Sequence, residues 1–268
     1  MGNPLSALFE SLSGLFAKKG GSVLGIDIGS SAIKVVQLRR ERGTAVLETY
    51  GAIALGPYAG LEIGRATNLG ADKLAEALED VLREANTTTR DCAISIPYAA
   101  SLISLIKVPE VPEKQLASLV PIEARKYIPV PIGEVALDWF VVPHEGMASQ
   151  EKGPRKLDVL LVAIHKDTIA KYQTIVNMTG LSAGFFEIEV FSTVRASLDH
   201  GLAPVAVLDM GAGSAKLYIV ERGIVKESHL INKGSQDVTL SISRALNIPV
   251  AKAEEMKQYE KVVAMIKP

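Results

Sequence analysis

Residues 23–34 read Val-Leu-Gly-Ile-Asp-Ile-Gly-Ser-Ser-Ala-Ile-Lys, and residues 205–216 read Val-Ala-Val-Leu-Asp-Met-Gly-Ala-Gly-Ser-Ala-Lys. The two stretches share one pattern. An apolar strand ends in an aspartate, a glycine follows two residues later, small residues come next, and a lysine closes the stretch. Each stretch then continues as a second apolar strand. Such repetition within one chain predicts two related halves that face each other.

The chemistry of each stretch suits an anion. A tight turn of glycine and serine points backbone N–H groups and hydroxyls at one spot, without bulky side chains in the way. An aspartate at the end of the preceding strand is placed to hold a hydrated divalent cation. Two such turns facing each other would clamp a polyphosphate with its metal between them. The simpler interpretation is that each is an ordinary hairpin turn, since Gly-Ser turns are common.

The candidate phosphate-binding residues are Asp27, Gly29, Ser30, Ser31, Lys34, Asp209, Gly211, Gly213 and Ser214. Of these, Asp27 and Asp209 are also the candidate metal residues. Lys34 and its counterpart Lys216 lie on the outgoing strands, which favours solvent exposure over phosphate contact for both. Two other nucleotide motifs are missing from the sequence. The chain has no Gly-Lys dipeptide and so no Walker A loop, and it has no complete G-x-G-x-x-G after a strand.

The composition limits the class of protein. The chain has 268 residues, which suggests two domains at about 150 residues each. Its 48% hydrophobic and 22% charged residues provide a buried core and exclude wholesale disorder. The net charge of −1 gives no general attraction for nucleic acid. The single cysteine, Cys92, fits a reducing compartment, and no apolar run approaches the about 20 residues of a membrane span. We therefore expect a soluble intracellular protein.

Hydrophobic periodicity predicts strands and helices in a mixed order. The predicted strands are 23–27, 32–39, 44–54, 91–98, 101–108, 135–142, 157–164, 183–188, 205–209, 215–221 and 224–230. The predicted helices are 72–85, 112–127, 167–178, 190–200 and 238–246, followed by one further short helix. The strand–helix–strand–strand order of residues 99–165 predicts a small α+β module inserted into the first domain.

The first residues of the chain form a separate pattern. Six large apolar residues recur at helical spacing: Leu5, Leu8, Phe9, Leu12, Leu15 and Phe16. Lys18, Lys19, Gly20 and Gly21 follow them. The pattern predicts an amphipathic helix with a flexible exit. Residues 5–16 would bind either a membrane interface, a partner groove, or the protein's own domain.

The two repeated stretches resemble the phosphate-1 and phosphate-2 motifs of the actin, Hsp70 and sugar-kinase superfamily. The inserted module resembles the extra subdomain of the cell-division protein FtsA. Taken with the N-terminal helix, the chain is most similar to the PilM family of actin-like type IV pilus assembly proteins. Further support comes from Ile94-Ser95-Ile96-Pro97, from Leu119 to Pro129, and from Gly180 to Val190.

The resemblance implies an α/β, actin-like ATPase (ribonuclease H-like) fold with an inserted FtsA-type subdomain. Its divisions are an N-terminal helix and linker (1–21), a first domain (22–98 with 166–202), the insert (99–165) and the start of a second domain (203–268). The Gly-rich adenosine motif expected late in the second lobe does not occur before Pro268. The second lobe is therefore expected to be incomplete, and two interpretations remain: a fragment of a longer protein, or a degenerate nucleotide site.

The resemblance also implies a function. ATP and Mg²⁺ are the expected ligands, with hydrolysis slow or absent. Glu189, just before the helix predicted at 190–200, is either a catalytic residue that orients water or simply an acid favoured at a helix start.

The expected partner is the N-terminal cytoplasmic peptide of a PilN-like inner-membrane protein. It would be held between Tyr98–Val108 and Pro129–Trp139, with other pilus platform proteins and the assembly ATPase nearby. The expected location is the cytoplasmic side of the inner membrane. The alternatives are an FtsA-like division protein and an actin-fold phosphotransferase.

Overall fold

The computed structural model describes residues 21–143, 156–198 and 203–258. The predicted N-terminal helix at 5–16 lies outside the described residues. The strands are β1 (Ser22–Ile28), β2 (Ala32–Glu41), β3 (Thr44–Ala54), β4 (Asp91–Ile96), β5 (Ser101–Pro109), β6 (Val135–Val141), β7 (Lys156–His165), β8 (Ser182–Ile188), β9 (Val205–Met210), β10 (Ala215–Glu221) and β11 (Ile224–Ile231). The helices are α1 (Ala71–Glu84), α2 (Glu113–Ala124), α3 (Lys166–Met178), α4 (Glu189–Ser197), α5 (Ser235–Leu246) and α6 (Val250–Gln258).

The first sheet has five strands in the order β3-β2-β1-β4-β8. Strands β1, β2 and β3 form an antiparallel meander. Strand β4 joins β1 in parallel, and β8 joins β4 in parallel. Helices α1 and α3 contribute to the core beside this sheet, and Leu74, Leu78, Val81 and Leu82 of α1 are buried in it. We call this unit the first lobe.

The inserted sheet has the order β5-β7-β6 and lies between two different neighbours. One side packs on α2, where Val108, Val120 and Val159 are fully buried. The other side shares a core with α4 and with the β10–β11 hairpin, through residues such as Leu160 and Val220. The insert is therefore held between its own helix and the last part of the chain.

The third sheet repeats the meander of the first, with the order β11-β10-β9 and antiparallel pairing throughout. Helices α5 and α6 follow it and pack on each other, with the Thr239 hydroxyl donating to Glu254 (2.6 Å). We call this unit the second lobe. It contacts the first lobe where the Ala66 N–H donates to the Gln236 side chain (3.1 Å). No helix among the described residues is long and apolar enough to cross a membrane.

Candidate functional site

The two repeated turns have the same geometry. The Gly29 N–H donates to the Ala32 carbonyl, and the Gly211 N–H donates to the Ser214 carbonyl, both at 3.0 Å. A Cβ atom on Gly29 would lie 3.0 Å from the Ala32 oxygen, and one on Gly211 would lie 2.9 Å from the Ser214 oxygen. Both glycines are needed because any side chain would collide with the carbonyl that closes the turn.

The predicted facing of the two turns is confirmed. A Cβ atom on Gly213 would lie 3.3 Å from the Ser30 hydroxyl oxygen, so the turns approach each other closely. A cleft of about 1210 Å³ lies beside them and continues along the first sheet. Helix α4 contributes to its lining through residues such as Ser192 and Arg195.

Backbone donors at both turns remain available. Within the described part of the chain, the amides of Ser30, Ser31, Ala212 and Gly213 donate to no protein acceptor. The start of α5 holds the second turn in place through backbone hydrogen bonds. There the Ser235 N–H donates to the Gly211 carbonyl at 2.9 Å. The turns thus present unpaired N–H groups on a held backbone, which is the arrangement that binds phosphate oxygens.

The strand register explains the spacing between aspartate and lysine. Asp27 lies directly opposite Lys34 across the first hairpin, and Asp209 lies directly opposite Lys216 across the second. In the first hairpin the Lys34 ammonium lies 3.3 Å from Asp27 Oδ2, and this pair is exposed. The other Asp27 oxygen accepts from the Ser95 hydroxyl at 2.9 Å.

The expectation that both lysines are exposed to solvent is correct for Lys34 and wrong for Lys216. Its side chain is 8% exposed, and its ammonium lies 2.8 Å from Glu189 Oε2 and 2.9 Å from Asp209 Oδ2. Burial alone lowers the pKa of Lys216, but the hydrogen bonds and charges of the two carboxylates outweigh it, so the pKa is raised. The sequence could not show this, because Glu189 reaches Lys216 from a distant part of the chain.

Glu189 is the first residue of α4 and lies at the junction of three parts of the molecule. One carboxylate oxygen takes the Lys216 ammonium, and the other accepts the Tyr98 backbone N–H at 2.7 Å. Both oxygens of the Glu189 carboxylate therefore already contact donors of the protein. The structure brings Glu189 to the cleft together with Asp27 and Asp209. Its role in orienting water stays a prediction.

Sequence reasoning missed several residues of the cleft. Ser95 lies beside Asp27 because β4 pairs in parallel with β1, and the alternation of β4 could have indicated it. Tyr172 on α3 lines the cleft, and its pKa is raised first by burial and then by the charges of Asp27 and Glu189. Glu187 and Arg195 form a further ion pair there. No motif marks these last three residues.

The residues fit a metal held through water and ligand oxygens. No three His, Cys, Asp or Glu side chains converge on one point within residues 21–143, 156–198 and 203–258. Two aspartates on opposite hairpins, with unpaired amides beside them, suit a cation that keeps several waters and bridges phosphate oxygens. Mg²⁺ behaves in this way.

Comparison with known proteins gives a consistent result. A family model described as "Type IV pilus assembly protein PilM" matches residues 25–264. A solved structure described as a PilM-PilN type IV pilus biogenesis complex is 25% identical, with a TM-score of 0.72, over 91% of this chain and 71% of that one.

Two more distant structures share the fold. The cytoplasmic domain of EpsL, an inner-membrane component of the type II secretion system of Vibrio cholerae, has a TM-score of 0.50 at 12% identity, over 83% of this chain and 75% of that one. The ethanolamine utilization protein EutJ from Carboxydothermus hydrogenoformans has a TM-score of 0.50 at 13% identity, over 97% and 72%. The fold is the mixed α/β fold of actin-like ATPases.

Proposed function

The chain belongs to the family of the type IV pilus assembly protein PilM, and on this premise we propose that it is an ATP-binding adaptor of the pilus machinery. In this role it binds Mg²⁺ and ATP between its two glycine turns and docks a peptide of a PilN-like membrane protein. The observation that carries the proposal is the pair of equivalent turns, Gly29–Ser31 and Gly211–Gly213, that face each other beside one cleft.

Named residues would hold the nucleotide. The free amides of Ser30, Ser31, Ala212 and Gly213 would bind phosphate oxygens, with Lys34 as a mobile positive charge. Asp27 and Asp209 would orient waters of the Mg²⁺ ion. When bound, that ion neutralises charge on the phosphates.

Slow or absent hydrolysis follows from the state of Glu189. Its two oxygens already accept from Tyr98 and Lys216, so it is better placed to hold the cleft together than to take a proton from water. This favours a structural role for ATP. The family match also favours pilus assembly over the FtsA-like and phosphotransferase alternatives.

The partner proposal rests on the similar structure described as a PilM-PilN complex. We expect a PilN-like N-terminal peptide at the insert, and hence a location at the cytoplasmic face of the inner membrane, near other platform proteins and the assembly ATPase. The junction predicted from sequence has two halves, Tyr98–Val108 and Pro129–Trp139. The second half contains most of β6, whose edge is the more accessible of the two for a peptide. Within the described residues both β5 and β6 have a strand partner on one side only. The β5 half, however, lies against β11, and Tyr98 and Ile103 are buried there with the second lobe.

Titration with Mg·ATP tests the nucleotide part. Asp27→Asn and Asp209→Asn each remove a carboxylate that orients metal-bound water, and we expect each to weaken binding about 10- to 100-fold. Isothermal calorimetry on the full chain measures this.

The matched control for the titration is Glu79→Gln, which neutralises an exposed carboxylate on α1 that does not line the cleft and is expected to bind like the wild type. Equal affinity of all four proteins, or no binding by the wild type, would contradict the proposal.

A further inference from the structure

One chain of contacts joins the nucleotide cleft to the insert. The Asp209 carboxylate holds the Lys216 ammonium (2.9 Å), which also holds Glu189 (2.8 Å). The second oxygen of Glu189 accepts the backbone N–H of Tyr98 (2.7 Å). Tyr98 lies just before β5, the first strand of the inserted sheet. Three polar contacts therefore connect the second turn to the start of the insert.

Tyr98 is also held from the other side. Its side chain is buried, and its hydroxyl hydrogen bonds to the Ser228 hydroxyl on β11 at 2.8 Å. Helix α4 thus holds its backbone through Glu189, and the second lobe holds its side chain. A change in the hydrogen bond between Glu189 and the Tyr98 backbone therefore acts on the residue that leads into β5.

The two copies of the repeat differ in the contacts of their lysines. Lys34 occupies the position equivalent to Lys216, but it is exposed, and among the described residues its ion pair is with Asp27 alone. Lys216 is buried and shared between two carboxylates that come from different elements, α4 and β9. The second contact, with Glu189, gives Lys216 a link to α4 that Lys34 does not have among the described residues.

We propose that Lys216 is a positioning residue that couples occupancy of the nucleotide cleft to the position of Tyr98 and the insert. The proposal rests on the proposed function, because a cation held near Asp209 competes with Lys216 for that carboxylate. Lys216 then interacts with Glu189 alone and neutralises it more fully. A more neutral carboxylate accepts the Tyr98 N–H less strongly, so the hydrogen bond weakens when Mg·ATP binds.

Residue-resolved hydrogen exchange of the Tyr98 amide tests this directly. Each protein is measured with and without Mg·ATP, at a concentration well above its own Kd as determined by titration. In the wild type we expect Mg·ATP to speed exchange of this amide by about fivefold or more, the lower end of ordinary coupling between sites. Lys216→Arg keeps a shared cation and should retain the effect.

Two variants should lose the effect. Lys216→Met removes the cation, and Glu189→Gln keeps an acceptor for Tyr98 while losing the charge that attracts Lys216. The matched control is Lys233→Met, which removes an exposed lysine of the second lobe and should respond like the wild type. If Lys216→Met proves too unstable to measure, Glu189→Gln and Lys216→Arg carry the comparison.

The outcomes separate the two proposals. A nucleotide effect of unchanged size in Lys216→Met and Glu189→Gln would overturn the coupling. So would wild-type protein that binds Mg·ATP while Tyr98 exchange stays the same, and that result would leave the proposed function standing. Wild-type protein that does not bind Mg·ATP in the titration overturns the proposed function, and the coupling with it.

Discussion

At the scale of the residue, the two lysines of the repeat make a direct comparison. Lys216→Met leaves Glu189 and Asp209 facing each other without their shared cation. We expect the free energy of unfolding to fall by about 1–3 kcal/mol, less than for a fully buried ion pair because both carboxylates are partly exposed. Lys34→Met removes an exposed pair and should change stability little. Urea denaturation of both variants measures the difference, and equal losses would contradict it.

Cys92 gives a prediction about pH and reactivity. Burial raises the pKa of its thiol from 9.0 to about 12. Between these values the native state keeps a proton that the unfolded chain loses, so this group lowers stability as the pH rises from 9 to 12. We expect no labelling by a thiol reagent in native protein at about pH 8, and complete labelling in urea. Rapid native labelling would show that the strand opens.

The limits of sequence reasoning are clearest at this scale. The motif located Asp27 and Asp209 because the register of a tight hairpin is encoded locally. The surroundings of Lys216 depend on Glu189, which lies on a separate element, α4, and reaches Lys216 through the packing of that helix on the second hairpin. Contacts of that kind follow from the packing of lobes, and local pattern does not contain them.

At the scale of the element, Gly234 is the joint between the second turn and α5. A Cβ atom there would lie 2.2 Å from the Ala212 oxygen, so Gly234→Ala must push the helix away from the turn. We expect a loss of about 1–3 kcal/mol and faster hydrogen exchange at the Ser235 amide. Gly133→Ala, with nothing within 4 Å of its new Cβ, is the control. Equal stability of the two variants would refute the account.

Element positions were largely predictable, and the errors have local causes. Strand β3 has the predicted bounds, although its register with β2 shifts between Leu47 and Thr49. Strand β4 ends at Ile96 rather than Tyr98, since Pro97 has no N–H for the ladder. Helix α5 begins three residues earlier than predicted, because the Asp237 side chain accepts the Gly234 N–H and caps it.

At the scale of the whole molecule, the shared core of the insert and the second lobe decides where a peptide can bind. Residues of β5 are committed to that core, which leaves the edge of β6. We expect a synthetic PilN-like N-terminal peptide to slow hydrogen exchange in Val135–Val141 by adding a strand there. A scrambled peptide of equal composition is the control. Protection confined to β9–β11 would exclude this edge.

The unequal exposure of the two lysines also has a mechanical consequence. Around Lys216 the cleft wall is stiff, because moving the second hairpin separates charges that are screened little by water. Around Lys34 it is compliant, because water can replace the ammonium at little cost. A ligand that enters should therefore move the backbone of residues 29–34 further than that of residues 211–216, where the contacts of Asp209 change while Glu189 still holds Lys216.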